Sequence, residues 1–161
     1  MESARRATAA DLPRVDELSL MARAELGAQE RGGVVFVNRE ARAEPSAALL
    51  EDPGRIVVVG AFDDTVVGFG TGRIEPLRNG TVLGVNDDLY VEPEARGVGV
   101  GEAMMGELLA WFRARECVGV DAFALPGMRA TKNFFETFGF TARLLVVHHR
   151  LDRTGDGDAP A

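Results

Sequence analysis

Several residue types are scarce in this chain of 161 residues, which has one cysteine, one tyrosine and two histidines. Because Cys117 has no partner in the chain, an internal disulfide is excluded, and we expect a buried, unreactive thiol. No apolar stretch approaches the roughly 20 residues needed to cross a bilayer. The N-terminus also lacks a cationic segment followed by an apolar run. The sequence therefore predicts a cytoplasmic protein that does not bind membranes.

Positive charge is also in short supply. The chain carries 25 acidic and 18 basic residues, which gives a formal net charge of -7. This balance disfavours nucleic acid as the main partner, because duplex binding relies on neutralising phosphates with Lys and Arg. A cationic partner suits the charge better. The length and the 46% apolar content predict one domain over residues 1–151, followed by a disordered acidic tail over 152–161.

The first half of the chain combines one helix with a three-stranded meander. Helical spacing of apolar residues begins at Leu12, after Asp11 as a plausible N-cap. Two β-rich runs, 55–62 and 65–74, are joined by the acidic pair Asp63 and Asp64, which indicates a hairpin. A turn at Asn79 and Gly80 leads to a third antiparallel run over 81–91. The residues between 27 and 45, which include a short apolar run over 34–37, carry no clear signal.

The second half predicts a β-α-β crossover. An amphipathic helix from Glu102 to about Arg115 is followed by a mostly apolar strand over 118–125. A last helix, closed by Gly139 as a left-handed C-cap, leads to a final strand over 141–151. The fold class is thus α/β in the α+β sense: a mixed, mostly antiparallel sheet flanked by helices, with the crossover around a glycine-rich loop.

That loop, Arg96-Gly97-Val98-Gly99-Val100-Gly101, is the most informative motif in the sequence. Glycines at alternate positions let backbone N–H groups converge on an anion at a helix N-terminus, so we expect it to bind a pyrophosphate. A P-loop is excluded because no Lys follows Gly101. A dinucleotide fingerprint is a weaker rival: Asp121 has the required spacing, but Glu102 stands where the third glycine belongs.

Arg96, Gly99 and Gly101 form the pattern R-x-x-G-x-G, which resembles the acetyl-CoA signature of the GNAT acetyltransferase superfamily. The similarity extends from Thr8-Ala-Ala-Asp-Leu-Pro13 to Asn133-Phe-Phe-Glu-Thr-Phe-Gly-Phe140. It implies that acetyl-CoA is the cosubstrate, that no metal is used, and that the strand before the loop pairs with the pantetheine arm. The coenzyme-binding residues implied are Leu89, Tyr90, Val91, Arg96, Gly97, Val98, Gly99, Val100 and Gly101, with Lys132, and also Arg129, near the outer phosphates.

A general base is needed because an alkylammonium has a pKa of about 10. In the family, a Glu or Asp on the strand before the loop commonly serves. Asp87 and Asp88 are the nearest acids, and as neighbours on a strand they are expected to point to opposite faces, so that at most one faces the substrate. Solvated carboxylates are the alternative reading. Weaker candidates are Glu75, Glu30, His148 and His149.

The general acid departs from the family pattern. A tyrosine usually precedes Glu-x-x-Gly-Phe near the end of the chain, and here Phe135 occupies that position. Tyr90 is a substitute candidate, with a packing role as the alternative. The resemblance thus implies an N-acetyltransferase that acts by direct transfer in a ternary complex on a primary amine of a small molecule or protein. A catalytically silent acyl-CoA-binding module is the second hypothesis and a dinucleotide-binding oxidoreductase the third. A homodimer is left open.

Overall fold

The computed structural model describes residues 1–152, which form a five-stranded sheet in the order β1-β2-β3-β4-β5. The first four strands pair antiparallel, and β5 pairs parallel to β4. The predicted mixed sheet with a β-α-β crossover is therefore confirmed. The strands are β1 (Glu2–Arg6), β2 (Arg55–Phe62), β3 (Thr65–Pro76), β4 (Val82–Val91) and β5 (Val120–Asp121).

Five α-helices and two short 3-10 turns, Ala9–Asp11 and Pro93–Ala95, accompany the sheet within the described residues. None of these helices is long and apolar enough to cross a membrane. Of the predicted tail, residues 153–161 lie outside the described part of the chain, and the domain boundary at 151 stays a prediction. The helices are α1 (Leu12–Gly27), α2 (Gly33–Arg39), α3 (Ser46–Glu51), α4 (Val100–Ala114) and α5 (Arg129–Thr137).

The predicted hairpin between β2 and β3 is confirmed. Phe62 pairs with Thr65, and the two turn residues between them, Asp63 and Asp64, have φ angles of 46° and 66°. Positive φ at both central residues matches the right-handed twist of the flanking strands. The turn at Gly80 is also confirmed, since Gly80 has a φ of 88° and its N–H donates to the Leu77 carbonyl at 3.1 Å.

The core has two layers, one on each face of the sheet. On one face, Val15 and Leu18 of α1 pack against a cluster that includes Phe69 of β3 and Tyr90 of β4. On the other face, α4 packs against β2 and β3; its buried residues there are Met104, Leu108, Trp111 and Phe112. Because α4 lies flat on the sheet, its N-terminus is fixed next to the end of β4.

Two regions of the N-terminal half contain elements that the sequence did not predict. β1 has the sequence Glu-Ser-Ala-Arg-Arg and is mostly exposed, so it carries no apolar alternation, yet it pairs with β2 from Glu2 to Arg6. The run 34–37 lies in helix α2, where Phe36 is buried, and α3 follows from Ser46. Both helices are too short for their periodicity to stand out in the sequence.

The predicted strands at the C-terminal end are largely wrong. Of the run 118–125, only Val120 and Asp121 pair with β4. The run 141–151 forms no strand and all of its residues are exposed, with Leu144 at 71% and Val147 at 84%. Its four consecutive apolar residues, 144–147, do not alternate, so they define no single buried face. Its link to β5 is an ion pair between Arg143 and Asp121.

Candidate active site

A slot opens where β4 and β5 separate. The two strands pair at Gly84 with Val120 and at Val85 with Asp121, and β4 then continues to Val91 after β5 has ended. Residues 86–91 of β4 line one side of a cavity of about 320 Å³. The other sides come from α1, α2, the glycine loop, Phe123 and α5. An open strand edge of this kind offers N–H and C=O groups to an extended ligand.

The glycine loop, residues 96–101, which we call the cradle, lies at one end of the slot. Gly97 and Gly99 have φ angles of 83° and 93°, which side-chain-bearing residues rarely adopt. Helix α4 begins at Val100, two residues earlier than predicted, so Gly101 lies in its first turn. The leading N–H groups of a helix have no partner within it, and they attract anions.

Arg96 links the cradle to α1. Its Nε donates to the Val91 carbonyl at 2.7 Å, and its Nη2 donates to the Glu25 carboxylate at 2.7 Å. The guanidinium also lies 5.4 Å from the centre of the Tyr90 ring. The hydrogen bond that Arg96 donates to Glu25 raises the pKa of Arg96. Glu25 was missed by the sequence analysis because a carboxylate 71 positions from its partner leaves no local signal.

A β-bulge sits in β4 beside the slot. Asp88 pairs with Thr71 and Asn86 pairs with Gly72, so Asp87 is an extra residue without an opposite on β3. The buried Asn86 side chain donates to the backbone carbonyls of Thr71 and Asp88, each at 2.8 Å. These bonds satisfy acceptors at the irregularity and hold its shape.

The bulge corrects the expectation that Asp87 and Asp88 point to opposite faces. Asp87 accepts a hydrogen bond from Arg73, and Asp88 accepts one from Thr71. Thr71 and Arg73 are two positions apart on β3, and side chains at that spacing share a face. Both carboxylates therefore lie on the α1 face of the sheet, and both residues line the slot.

Asp88 is tied into a mostly buried network. It forms an ion pair with Arg42 at 2.6 Å, and the side chains are 17% and 8% exposed. Thr71 donates to the same oxygen of Asp88 at 2.5 Å, and Arg42 also reaches the hydroxyls of Ser19 and Ser46 at 3.4 Å. Asp88 thus anchors the chain between α2 and α3 to the sheet through its Oδ2 atom.

Asp87 has a different environment. Its side chain is 6% exposed, and its charged partner is Arg73, whose Nε lies 3.1 Å from Oδ2. Burial raises the pKa of Asp87; Arg73 opposes this shift and the neighbouring Asp88 charge adds to it. A carboxylate with a raised pKa is a better proton acceptor at neutral pH. Asp87 thus combines burial, a raised pKa and a place in the wall of the slot.

The comparisons with known proteins agree with this geometry. Residues 21–140 match the family described as Acetyltransferase (GNAT) family. The chain belongs to the GNAT acetyltransferase family. No curated protein sequence matches the chain.

Solved GNAT-like structures share its fold. An acetyltransferase from Trypanosoma brucei is 24% identical with a TM-score of 0.66, covering 94% of this chain and 100% of its own. A ribosomal-protein-alanine N-acetyltransferase from Brucella melitensis is 18% identical with a TM-score of 0.67, covering 93% and 99%. AAC(6′)-Iy, solved with the bisubstrate analogue CoA-S-monomethyl-acetylneamine, is 13% identical with a TM-score of 0.70, covering 94% and 99%.

The residues of this GNAT chain fit a coenzyme in the slot. The cradle has the two left-handed glycines and the helix start that a diphosphate requires, and Leu89, Tyr90 and Val91 lie along the open edge of β4. The GNAT family uses acyl-CoA. Five of the predicted coenzyme-binding residues do not line the slot: Val98, Gly99, Val100, Arg129 and Lys132. Lys132 is 67% exposed and pairs with Glu136 at 3.5 Å. A phosphate contact from Lys132 stays a prediction.

The position where GNAT enzymes commonly carry a tyrosine acid faces this slot. Phe135 is 8% exposed and lines the cavity, with its ring centre 5.3 Å from that of Phe140. An apolar ring thus stands where the family has a phenol. Phe135 cannot donate a proton.

Tyr90 lies in the α1 core cluster as well as in the slot wall and is 9% exposed. Burial raises the pKa of its phenol, and the nearby Glu25 charge adds to the shift. This position agrees with the packing alternative, and a role for Tyr90 as the acid stays a prediction.

The weaker base candidates lie away from the slot. Glu75 is bound to Arg73 at 3.0 Å, and Glu30, His148 and His149 do not line the cavity. Cys117 packs partly buried against the α4 cluster, and burial raises the pKa of its thiol, which agrees with an unreactive side chain.

Proposed function

We propose that this protein transfers the acetyl group of acetyl-CoA to a primary amine, by direct attack in a ternary complex. The observation that carries the proposal is the placement of two unlike features in one slot. The cradle lies at one end, and the desolvated Asp87 lies beside the bulge in β4. The first suits a diphosphate, and the second suits the removal of a proton.

The first step is a proton transfer. The acceptor arrives as an ammonium ion, whose nitrogen has no free electron pair. Asp87 takes one proton from it, and the raised pKa of this carboxylate makes the transfer less unfavourable. The neutral amine can then attack a carbonyl carbon held at the open edge of β4.

The attack forms the new C–N bond and places negative charge on the thioester oxygen. Backbone N–H groups along the unpaired part of β4 are the donors available to stabilise that charge. The C–S bond then breaks, the thiolate leaves, and the amide nitrogen loses its remaining extra proton to solvent.

Departure of the thiolate is the step that receives the least help from the side chains of the protein. Phe135 supplies no proton, so the sulfur takes one from solvent or departs as thiolate. A thiol with a pKa of about 8.5 is a tolerable leaving group without help. The absence of an acid at this position slows the reaction rather than preventing it.

Phe135 also supports a second candidate, a module that binds acyl-CoA without turning it over. The two functions are separated by measuring the release of free thiol from acetyl-CoA with a panel of primary amines. We expect amine-dependent release that saturates in both reactants. Tight coenzyme binding without release on any amine would favour the silent module.

A further inference from the structure

A second, polar cleft of about 320 Å³ lies on the same face of the sheet as the slot. It is lined by the connection between α2 and α3 and by charged residues of β2, β3 and β4. Of its lining residues, only Asp87 also lines the slot. A molecule approaching the slot from this cleft therefore passes the carboxylate that we propose as the base.

The arginines of this cleft differ in how firmly they are held. Arg42 is bound to Asp88 and buried, and Arg55 is shared between Glu44 at 2.9 Å and Asp52 at 3.4 Å. Arg73 contacts Asp87 through Nε alone, at 3.1 and 3.4 Å, while its Nη1 is bound to Glu75 at 3.0 Å. This one-nitrogen contact is weaker than the paired geometry that arginine makes with carboxylates, so it can be exchanged.

Asp87 and Arg73 together present opposite charges side by side. A simple amine that binds Asp87 would compete with Arg73 and offer this half-buried guanidinium nothing in return. Arg73 would keep its contact with Glu75 at 3.0 Å but lose its buried partner Asp87, which is unfavourable for a partly buried charge. A molecule that brings a carboxylate next to its ammonium would satisfy both residues at once.

An α-amino acid carries both of the charges that this pair can bind. Arg73 and Asp87 are in direct contact, with Nε and Oδ2 3.1 Å apart, so the two groups lie side by side. The ammonium and the carboxylate of an α-amino acid are also neighbours, because only the Cα atom stands between the nitrogen and the carboxyl carbon. The ammonium can therefore bind Asp87 while the carboxylate binds Arg73, so that one ion pair is exchanged for two.

We propose that the acceptor is an α-amino acid, whose carboxylate is bound by Arg73 and whose amine is deprotonated by Asp87. This inference rests on the proposed acetyltransferase function. The chemistry is the one given above: the α-nitrogen loses a proton to Asp87, forms the bond to the acetyl carbon, and the thiol of coenzyme A leaves.

The test compares each of the nineteen amino acids that carry a primary α-amine with the amine that lacks its α-carboxylate, for example leucine with 3-methylbutylamine. We expect at least one amino acid to exceed its amine in kcat/KM by tenfold or more. The Arg73→Gln variant should reduce this ratio at least tenfold, while Arg78→Gln, the same change at an exposed turn residue, should leave it as in the wild type. Calorimetric titration of the amino acid into protein saturated with CoA should show binding that is weakened in Arg73→Gln.

If Arg73→Gln fails to fold, Arg73→Lys, which keeps the positive charge, replaces it in the test. Arg73→Lys should retain part of the preference for amino acids over amines. Amines or peptide N-termini accepted as well as amino acids would overturn the inference and leave the acetyltransferase function standing. A preference unchanged by either Arg73 variant would overturn it too. No acetylation of any amine, with no calorimetric binding of any amino acid, would reject both proposals.

Discussion

The two ends of the proposed active site use different parts of the chain: one uses backbone groups and the other uses side chains. The cradle relies on backbone N–H groups, and what it needs from the sequence is glycine at positions with left-handed φ angles. The acceptor end relies on side-chain ion pairs between residues far apart in the chain, such as Arg42 with Asp88 and Arg73 with Asp87. A backbone site tolerates few substitutions but is readable as a motif. A site of ion pairs can be retuned residue by residue, and it leaves no local pattern.

The largest expected effect comes from closing the cradle. Gly99→Val places a branched side chain at a φ of 93° and against Glu2, whose Cγ lies 3.1 Å from the position of an added Cβ. We expect coenzyme A affinity, measured by calorimetry, to fall by at least about 100-fold because the backbone can no longer approach a diphosphate.

Backbone strain alone would also follow from that change, at about 1–3 kcal/mol. Gly80→Val is a matched control, since Gly80 has a φ of 88° and open space around it in a distant turn. It should lose similar stability and bind coenzyme normally. If both variants bound coenzyme equally well, the cradle would not be the binding site.

Asp87→Asn tests the acceptor end. We expect kcat to fall by about 10²- to 10⁴-fold, the usual contribution of general acid–base catalysis, while the coenzyme dissociation constant is unchanged. Steady-state thiol release and calorimetry measure the two quantities. A comparable loss of coenzyme binding would contradict the separation of the two ends.

The pH dependence follows from the same residue. Burial raises the pKa of Asp87, so the active carboxylate form is lost as the pH falls through a value above the usual 3.9 or so for aspartate. The wild-type rate should decline as the pH is lowered, and the rate of Asp87→Asn should not show this decline.

The effect of the Asp87 charge on the free energy of unfolding is opposite in sign to that of an ordinary salt-bridged acid. The folded state binds this proton more tightly than the unfolded state, so stability falls as the pH rises from the unfolded-state pKa to the raised folded-state pKa, and the loss is complete above it.

Asp88→Ala should act on stability more than on the chemistry. It removes the partner of Arg42, whose side chain is 8% exposed, and breaking such a pair costs about 3 kcal/mol. Denaturant unfolding should show this loss, and kcat should fall less than in Asp87→Asn. A variant as stable as the wild type but inactive would instead assign the base to Asp88.

The smallest expected effect is an increase in kcat. Phe135→Tyr places a phenol at the slot, and we expect kcat to rise by up to about tenfold if loss of the thiol limits the rate. Phe138→Tyr, at the C-terminal end of the same helix and outside the slot lining, is the control and should bring no gain. Equal rates in wild type and both variants would mean that departure of the sulfur does not limit turnover.

The same difference between local backbone motifs and long-range side-chain pairs decides which features could be predicted from the sequence. The hairpin at Asp63 and Asp64, the glycine loop and the cap at Gly139 were readable because each depends on a few adjacent residues with strong backbone preferences. β1 was not readable, since its mostly exposed residues pair with β2 without an apolar pattern.

The acceptor end escaped prediction for a related reason. Strand alternation placed Asp87 and Asp88 on opposite faces, and the bulge, which is held by the Asn86 side chain, put them on the same one. Arg42 lies 46 positions from Asp88, so the network that distinguishes the two acids exists only in the folded chain.

A crystal structure with coenzyme A bound tests the central claim most directly. The account predicts that the diphosphate binds the backbone N–H groups between Gly97 and Gly101 and that the pantetheine lies along residues 89–91. The sulfur of the coenzyme should be directed towards Asp87. A diphosphate bound elsewhere, or a sulfur directed away from Asp87, would contradict it.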